Sequence, residues 1–118
     1  MNLNSILTVI DTSIKHPIIS NNGYALDVFA PKDLFLIPGC YFSIHSGFIL
    51  NIPEPYLGFM TNRLNAQNDL SFTAGEIVHP LYDKEITIHM KYTGLSNILI
   101  KKDEPLCQII LMTGLKLI

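Results

Sequence analysis

The stretch Glu85–Lys91 reads Glu-Ile-Thr-Ile-His-Met-Lys and alternates strictly between polar and apolar side chains. In an extended chain, successive side chains point to opposite faces of the sheet. Ile86, Ile88 and Met90 therefore share one face, and the polar side chains share the other. This pattern is typical of a β-strand that packs one face on a hydrophobic core.

Short segments rich in Ile, Val, Phe, Tyr and Leu surround this stretch on both sides, whereas apolar residues at helical spacing are scarce. Turn-forming residues such as Asn21-Asn22-Gly23 and Pro53-Glu54-Pro55 separate the segments. Strands about ten residues apart predict an antiparallel sandwich or barrel. Besides Glu85–Lys91, the predicted strands are Ile6–Asp11, Tyr24–Phe29, Leu34–Ile37, Tyr41–Ile52, Tyr56–Asn62, Glu76–Pro80, Ile98–Ile100 and Leu106–Met112.

The segment Leu106–Met112 is almost wholly apolar, and the sequence ends in Leu115-Lys116-Leu117-Ile118. A continuous apolar run predicts a strand that is covered on both faces, by a second sheet or by another subunit. We expect this strand to form a sheet edge. Because an exposed apolar edge favours aggregation, we also expect an oligomer in which neighbouring subunits cover it.

Composition limits the class of protein. The 118 residues predict a single domain, residues 1–118, and 48% hydrophobic against 15% charged residues excludes intrinsic disorder. The net charge of −2 lacks the basic excess of a general nucleic-acid binder. No apolar run approaches the ~20 residues that span a bilayer, and no signal peptide is apparent. We therefore expect an intracellular, cytoplasmic protein that binds neither nucleic acid nor membrane.

General chemical motifs are scarce. Cys40 and Cys107 lack metal-site spacing, and we expect free thiols in a reducing compartment. The sequence has no phosphate-binding glycine loop and no Gly-x-Ser-x-Gly element. Four histidines lie far apart in the sequence, without metal-ligand spacing: His16, His45, His79 and His89. We therefore expect no metal site.

The order of several segments carries more information than any one of them. They are Ala25–Ala30, Leu36–Gly39, Ser46–Phe48, Pro53–Gly58, Thr61–Leu64, Glu76–Ile86 and Lys102–Ile110. In order and spacing, this set resembles the dUTPase family from about Ile18 to Met112. The resemblance implies an all-β, dUTPase-like β-sandwich or distorted jelly-roll barrel that assembles as a homotrimer.

The resemblance also implies candidate nucleotide-binding residues. Asp27 matches the aspartate of the first family motif, which helps to organise the metal–triphosphate region. The alternative is a turn-flanking or trimer-contact carboxylate. Arg63 matches the arginine of the second motif, which contacts phosphate oxygens. Here Leu64 replaces the motif's serine, and the alternative for Arg63 is a solvated or ion-paired side chain.

The third motif differs most from the family pattern, Gly-Val-Ile-Asp-x-x-Tyr-x-Gly-Glu. Tyr82 matches the tyrosine that packs on the deoxyribose. Aligned on Tyr82 and Glu85, the motif has His79 where the family has its general base, an aspartate. Lys84 replaces the motif's glycine. A histidine can act as a general base, but its proton acceptor lies at a different distance from the backbone.

The fourth motif is retained, whereas the fifth has no counterpart. Gln108 matches a glutamine that reaches the phosphate region in the family, and the alternative is that it satisfies neighbouring backbone groups. The segment between Arg63 and Tyr82, where a hairpin reads uracil in the family, is about three residues shorter than expected. We identify no glycine-rich arm of the kind that closes over the nucleotide in the family.

These features together predict a catalytically inactive dUTPase-like protein that binds a protein partner. Short virus-encoded relatives, such as adenoviral early-region proteins, are similar in this respect, and the resemblance implies viral origin and a host partner. One alternative is a protein that binds or sequesters a nucleotide without hydrolysing it. The other is a divergent dUTP diphosphatase that hydrolyses dUTP to dUMP and pyrophosphate, and only this alternative would use Mg²⁺.

Overall fold

The computed structural model describes residues 2–62, 70–71, 76–115 and 117, and it is built almost entirely of β-strands. The elements in chain order are α1 (Leu3–Ile6), β1 (Leu7–Val9), β2 (Ile18–Ser20), a 3-10 turn (Asn21–Gly23), β3 (Ala25–Phe29), β4 (Leu34–Leu36), β5 (Tyr41–Leu50), β6 (Tyr56–Thr61), β7 (Leu70–Ser71), β8 (Glu76–Val78), β9 (Glu85–Tyr92), β10 (Ile98–Ile100) and β11 (Pro105–Thr113). In the described part of the chain, no helix is long and apolar enough to cross a bilayer.

Two larger antiparallel sheets and one small ribbon make up the fold. The first sheet has the strand order β1-β5-β9-β7 and the second has the order β2-β3-β11-β6-β8. Strands β10 and β4 form a separate two-stranded ribbon. Buried side chains from both larger sheets form one hydrophobic core, among them Leu50 and Ile88 of the first and Met60 and Ile109 of the second. The predicted β-sandwich is confirmed.

Strand β9 shows the alternation that its sequence predicts. Ile86, Ile88 and Met90 are buried, whereas the side chains between them are only partly buried. The strand extends one residue further than predicted, to Tyr92. The Tyr92 hydroxyl donates a hydrogen bond to the carbonyl of Ser96, with an oxygen–oxygen distance of 2.6 Å. The hydroxyl of the buried Tyr92 side chain therefore has a hydrogen-bond partner although it is shielded from water.

The prediction that the apolar strand near the C-terminus forms a sheet edge is wrong. Strand β11 lies inside the second sheet, with β3 on one side and β6 on the other. Its first half, Leu106–Ile109, is buried on both faces, but Met112 near its end is exposed. A continuous apolar sequence indicates that both faces of a strand are buried, but it does not indicate the position of the strand in the sheet. A central strand and an edge strand covered by another subunit therefore have the same sequence pattern.

Both cysteines are free. Cys40 is half-buried and Cys107 is fully buried in β11. Burial raises the pKa of the Cys107 thiol, and the nearby Asp27 carboxylate raises it further. Cys107 therefore stays protonated at neutral pH and acts as a small apolar core residue.

Candidate functional site

A cleft of about 290 Å³ brings together two residues of the third motif, His79 and Tyr82. Strand β8 leads into it, and the chain then turns through residues 79–84 before β9 begins. Two backbone hydrogen bonds hold the turn: Leu81 N donates to Ile52 O at 2.7 Å, and Tyr82 N donates to His79 O at 3.3 Å. Leu81 has a φ of 62°, which is uncommon for a residue with a side chain and places His79 and Tyr82 on a tight turn.

Apolar and polar side chains line the cleft in nearly equal numbers. The apolar lining consists of Met60, Ile77, Val78 and Ile86. The polar groups are His79, Tyr82, Glu76, Thr87 and His89. A concave apolar surface with a few polar side chains is the usual character of a small-molecule site, and the volume is close to the lower end of such sites.

His89 is a residue of the cleft that the sequence analysis did not select. Its Nδ1 lies 2.6 Å from the Ser43 hydroxyl oxygen, across the paired strands β5 and β9. This hydrogen bond fixes the orientation of the imidazole ring, which lines the cleft as well. The two residues are 46 positions apart, so only the register of β5 against β9 pairs them.

Glu85, the last residue of the third motif, makes contacts that hold the fold. One of its carboxylate oxygens accepts a hydrogen bond from Gly47 N at 2.8 Å. The other lies 3.3 Å from Nδ1 of His45, which is largely exposed. The Glu85 carboxylate thus stabilises the irregular part of β5, and both of its oxygens have partners within the chain.

Asp27 and Gln108, the candidate residues of the first and fourth motifs, lie side by side. They are directly opposed on strands β3 and β11, and Gln108 Nε2 donates to Asp27 Oδ1 at 3.3 Å. The Ser20 hydroxyl donates to the same oxygen at 3.0 Å. Gln108 is buried, and its Oε1 has no hydrogen-bond partner within the described part of the chain.

The predicted site residues therefore form two groups within one subunit. His79 and Tyr82 line the cleft, whereas Asp27 and Gln108 are not among the described residues around it. Arg63 lies outside the described residues, as does most of the segment in which a shortened hairpin was predicted. The structure thus pairs Asp27 of the first motif with Gln108 of the fourth, and brings His79 and Tyr82 of the third motif to the cleft.

The described residues do not fit a Mg²⁺ site held by the protein alone. Mg²⁺ prefers carboxylate oxygens in near-octahedral geometry. Within residues 2–62, 70–71, 76–115 and 117, no three His, Cys, Asp or Glu side chains converge on one point. Oδ1 of Asp27 already accepts hydrogen bonds from Ser20 and Gln108.

Solved structures similar to this one are dUTPases of staphylococcal phages. An aspartate-to-asparagine mutant of the dUTPase from phage phi11 of S. aureus, described as coordinating a structural Mg(II) ion, has a TM-score of 0.79 at 15% identity, covering 95% of this chain and 94% of that one. The dUTPase of Staphylococcus bacteriophage 80alpha with dUpNHpp has a TM-score of 0.78 at 17% identity, covering 95% and 86%. At these identities the likeness concerns the fold.

The 80alpha dUTPase is described as controlling the transfer of virulence genes by a proto-oncogenic G protein-like mechanism. A search of curated proteins gives no significant match. The dUTPase family model matches residues 13–117, which is nearly the whole sequence. The chain therefore belongs to the dUTPase family.

Proposed function

We propose that this chain is a catalytically inactive, virus-encoded member of the dUTPase family that acts in the cytoplasm by binding a protein partner. The observation that supports the proposal is that His79, which the motif alignment puts at the general-base position, lies with Tyr82 in one cleft. Kinship with phage dUTPases of the same fold supports a viral origin.

The chemistry of the base position supports the loss of hydrolysis. The family uses a carboxylate to take a proton from the attacking water. A neutral imidazole presents one acceptor nitrogen at a different distance from the backbone, and small displacements of a base are costly in rate. Loss of such a group costs several kcal/mol of transition-state stabilisation. Lys84, which stands where the family motif has a glycine, also differs from the family pattern near His79.

A protein partner is supported by the regulatory role described for the 80alpha dUTPases. Their control of virulence-gene transfer is described as G protein-like. We extend to this chain only the general idea that a dUTPase scaffold acts on another protein. For a virus-encoded chain, that partner would be a host protein.

Incubation of the purified protein with dUTP and Mg²⁺ is expected to release no pyrophosphate above the background. His79→Asp is expected to stay well below the turnover of a working dUTPase, because Lys84 still replaces the glycine of the motif. An active dUTPase under the same conditions serves as the control. A turnover of the unmodified chain near ~1 per second, which is in the range of ordinary enzymes, would contradict the proposal.

A second candidate, a nucleotide-binding protein, is favoured by the cleft around Tyr82. Titration calorimetry with dUMP and dUTP tests it. We expect Tyr82→Ala to weaken binding about tenfold, because an aromatic stacking contact is worth roughly 1–1.5 kcal/mol. Tyr24→Ala is the matched control, since Tyr24 is exposed and does not line this cleft. Binding that neither Tyr82→Ala nor Arg63→Ala changes would show that the nucleotide site lies elsewhere.

We further propose that the chain assembles as a homotrimer, as the family resemblance implies. The support from the structure is apolar surface near the end of the chain. Leu115 and Leu117 are each 91% exposed, and Met112 at the end of β11 and Tyr56 at the start of β6 are exposed to a lesser degree. A closed cyclic assembly would cover such surface without leaving a free interface.

A further inference from the structure

The ribbon formed by β4 and β10 presents an apolar outer face that the fold leaves uncovered. Phe35, Leu99 and Ile37 are 69%, 49% and 53% exposed, while their neighbours on the opposite side of the ribbon are buried in the core. Asp33 and Lys101, both exposed, continue this face at one end. These five residues are called the ribbon face.

The register of the ribbon places these side chains together. Leu99 opposes Phe35, and Ile100 opposes Leu34. Asp33 directly precedes β4 and Lys101 directly follows β10, and continuing the alternation of the strands by one residue puts both on the side of Phe35 and Leu99. The backbone N–H of Lys102 donates to Asp33 Oδ1 at 2.8 Å, which holds the carboxylate at this end.

We propose that the ribbon face binds the ribbon face of a second copy of this chain about a twofold axis parallel to the strands. Such an axis stacks β4 of one copy on β10 of the other and keeps the same end of both ribbons together. Phe35 then packs on Leu99 of the second copy, and Asp33 faces its Lys101. Both contacts occur twice, so the surface is complementary to itself in shape and in charge.

The area of the face sets the expected strength of this contact. Three partly exposed apolar side chains offer roughly 300 Å² per copy, whereas stable interfaces bury about 800 Å² per partner. We therefore expect a dissociation constant on the order of 100 μM for single chains. The association is independent of the proposed function, and in a homotrimer the same face would join two trimers.

Sedimentation velocity over about 10–500 μM protein tests the pairing, since this range spans the expected dissociation constant. The unmodified chain is expected to approach twice the weight-average mass of the Phe35→Ser variant, reaching about 1.7 times that mass at 500 μM for the dissociation constant given above. Tyr24→Ser, which alters an exposed aromatic side chain off the ribbon, is expected to associate like the unmodified chain. Equal masses for the unmodified chain and Phe35→Ser would overturn the proposal, and so would a ratio of three.

Charge reversal tests the orientation of the two copies. Lys101→Glu and Asp33→Lys each place like charges opposite one another, so each alone is expected to weaken association about tenfold at low salt. An equimolar mixture of the two variants pairs opposite charges again and is expected to recover the doubled mass. Failure of the mixture to associate would overturn the twofold arrangement. Asp33→Asn, which keeps an acceptor for Lys102 N, replaces Asp33→Lys if that variant does not fold.

Discussion

Replacing Phe48 by alanine is expected to lower the free energy of unfolding by about 4 kcal/mol. Phe48 lies in β5 opposite Val9 of β1, and only 1% of it is exposed. Its ring belongs to the core shared by the two larger sheets. Truncation removes the transfer free energy of the ring and leaves a cavity that a close-packed sandwich fills poorly.

Urea denaturation followed by circular dichroism measures this loss as a lower midpoint with an unchanged slope. Phe35→Ala is the matched control, because that ring points outward from the ribbon. At a concentration below that of self-association, we expect the control to change the free energy of unfolding by less than about 0.5 kcal/mol. Equal losses for the two variants would show that Phe48 is not a core residue.

Gly47→Ala is expected to cost about 2–3 kcal/mol, because it combines backbone strain with a steric clash. Gly47 has a φ of +86°, in the left-handed region, and it lies where the register of β5 against β9 shifts. An added Cβ would lie 2.9 Å from Cγ2 of Ile14 and 3.1 Å from Cβ of Asp11. The Gly47 carbonyl also accepts hydrogen bonds from two backbone N–H groups at the end of the β1 segment.

Gly39→Ala separates the two contributions. Gly39 has a nearly identical φ of +80°, but nothing lies within 4 Å of an added Cβ. We expect it to lose only about 1 kcal/mol, the usual cost of a side chain at positive φ. The difference between the two variants in the same denaturation experiment measures the clash with the Asp11–Ile14 turn. Losses of equal size would mean that the turn moves away freely.

The local pattern predicted most of the strands, and the exceptions have physical causes. Alternation located β9 almost to the residue, and turn residues separated the strands around it. Strand β2, at Ile18–Ser20, was missed because two of its three residues are exposed, so it lacks an alternating burial pattern. The four-residue helix α1 was missed because it is too short to show a helical period.

Four of the candidate site residues were selected from the order of the motifs along the chain. Asp27 with Gln108, and His79 with Tyr82, were selected because their order matches the family motifs, and the structure brings each pair together. His89 was not selected because its partner Ser43 is distant in sequence. The pairing of Asp27 with Gln108 across β3 and β11 was not predictable either, since motif order does not specify which strands are neighbours.

The sequence by itself determined the class of fold and the positions of most strands, and its motif order led to the prediction that His79 stands where the family has its aspartate. These properties depend on the period of apolar residues and on residue identity, which are local. Only the tertiary structure decided that β11 is a central strand, that Ser43 orients His89 and that Phe35 and Leu99 share an exposed face. Strand order and register arise from pairing between distant segments, and the same apolar pattern is compatible with many pairings until the whole chain packs.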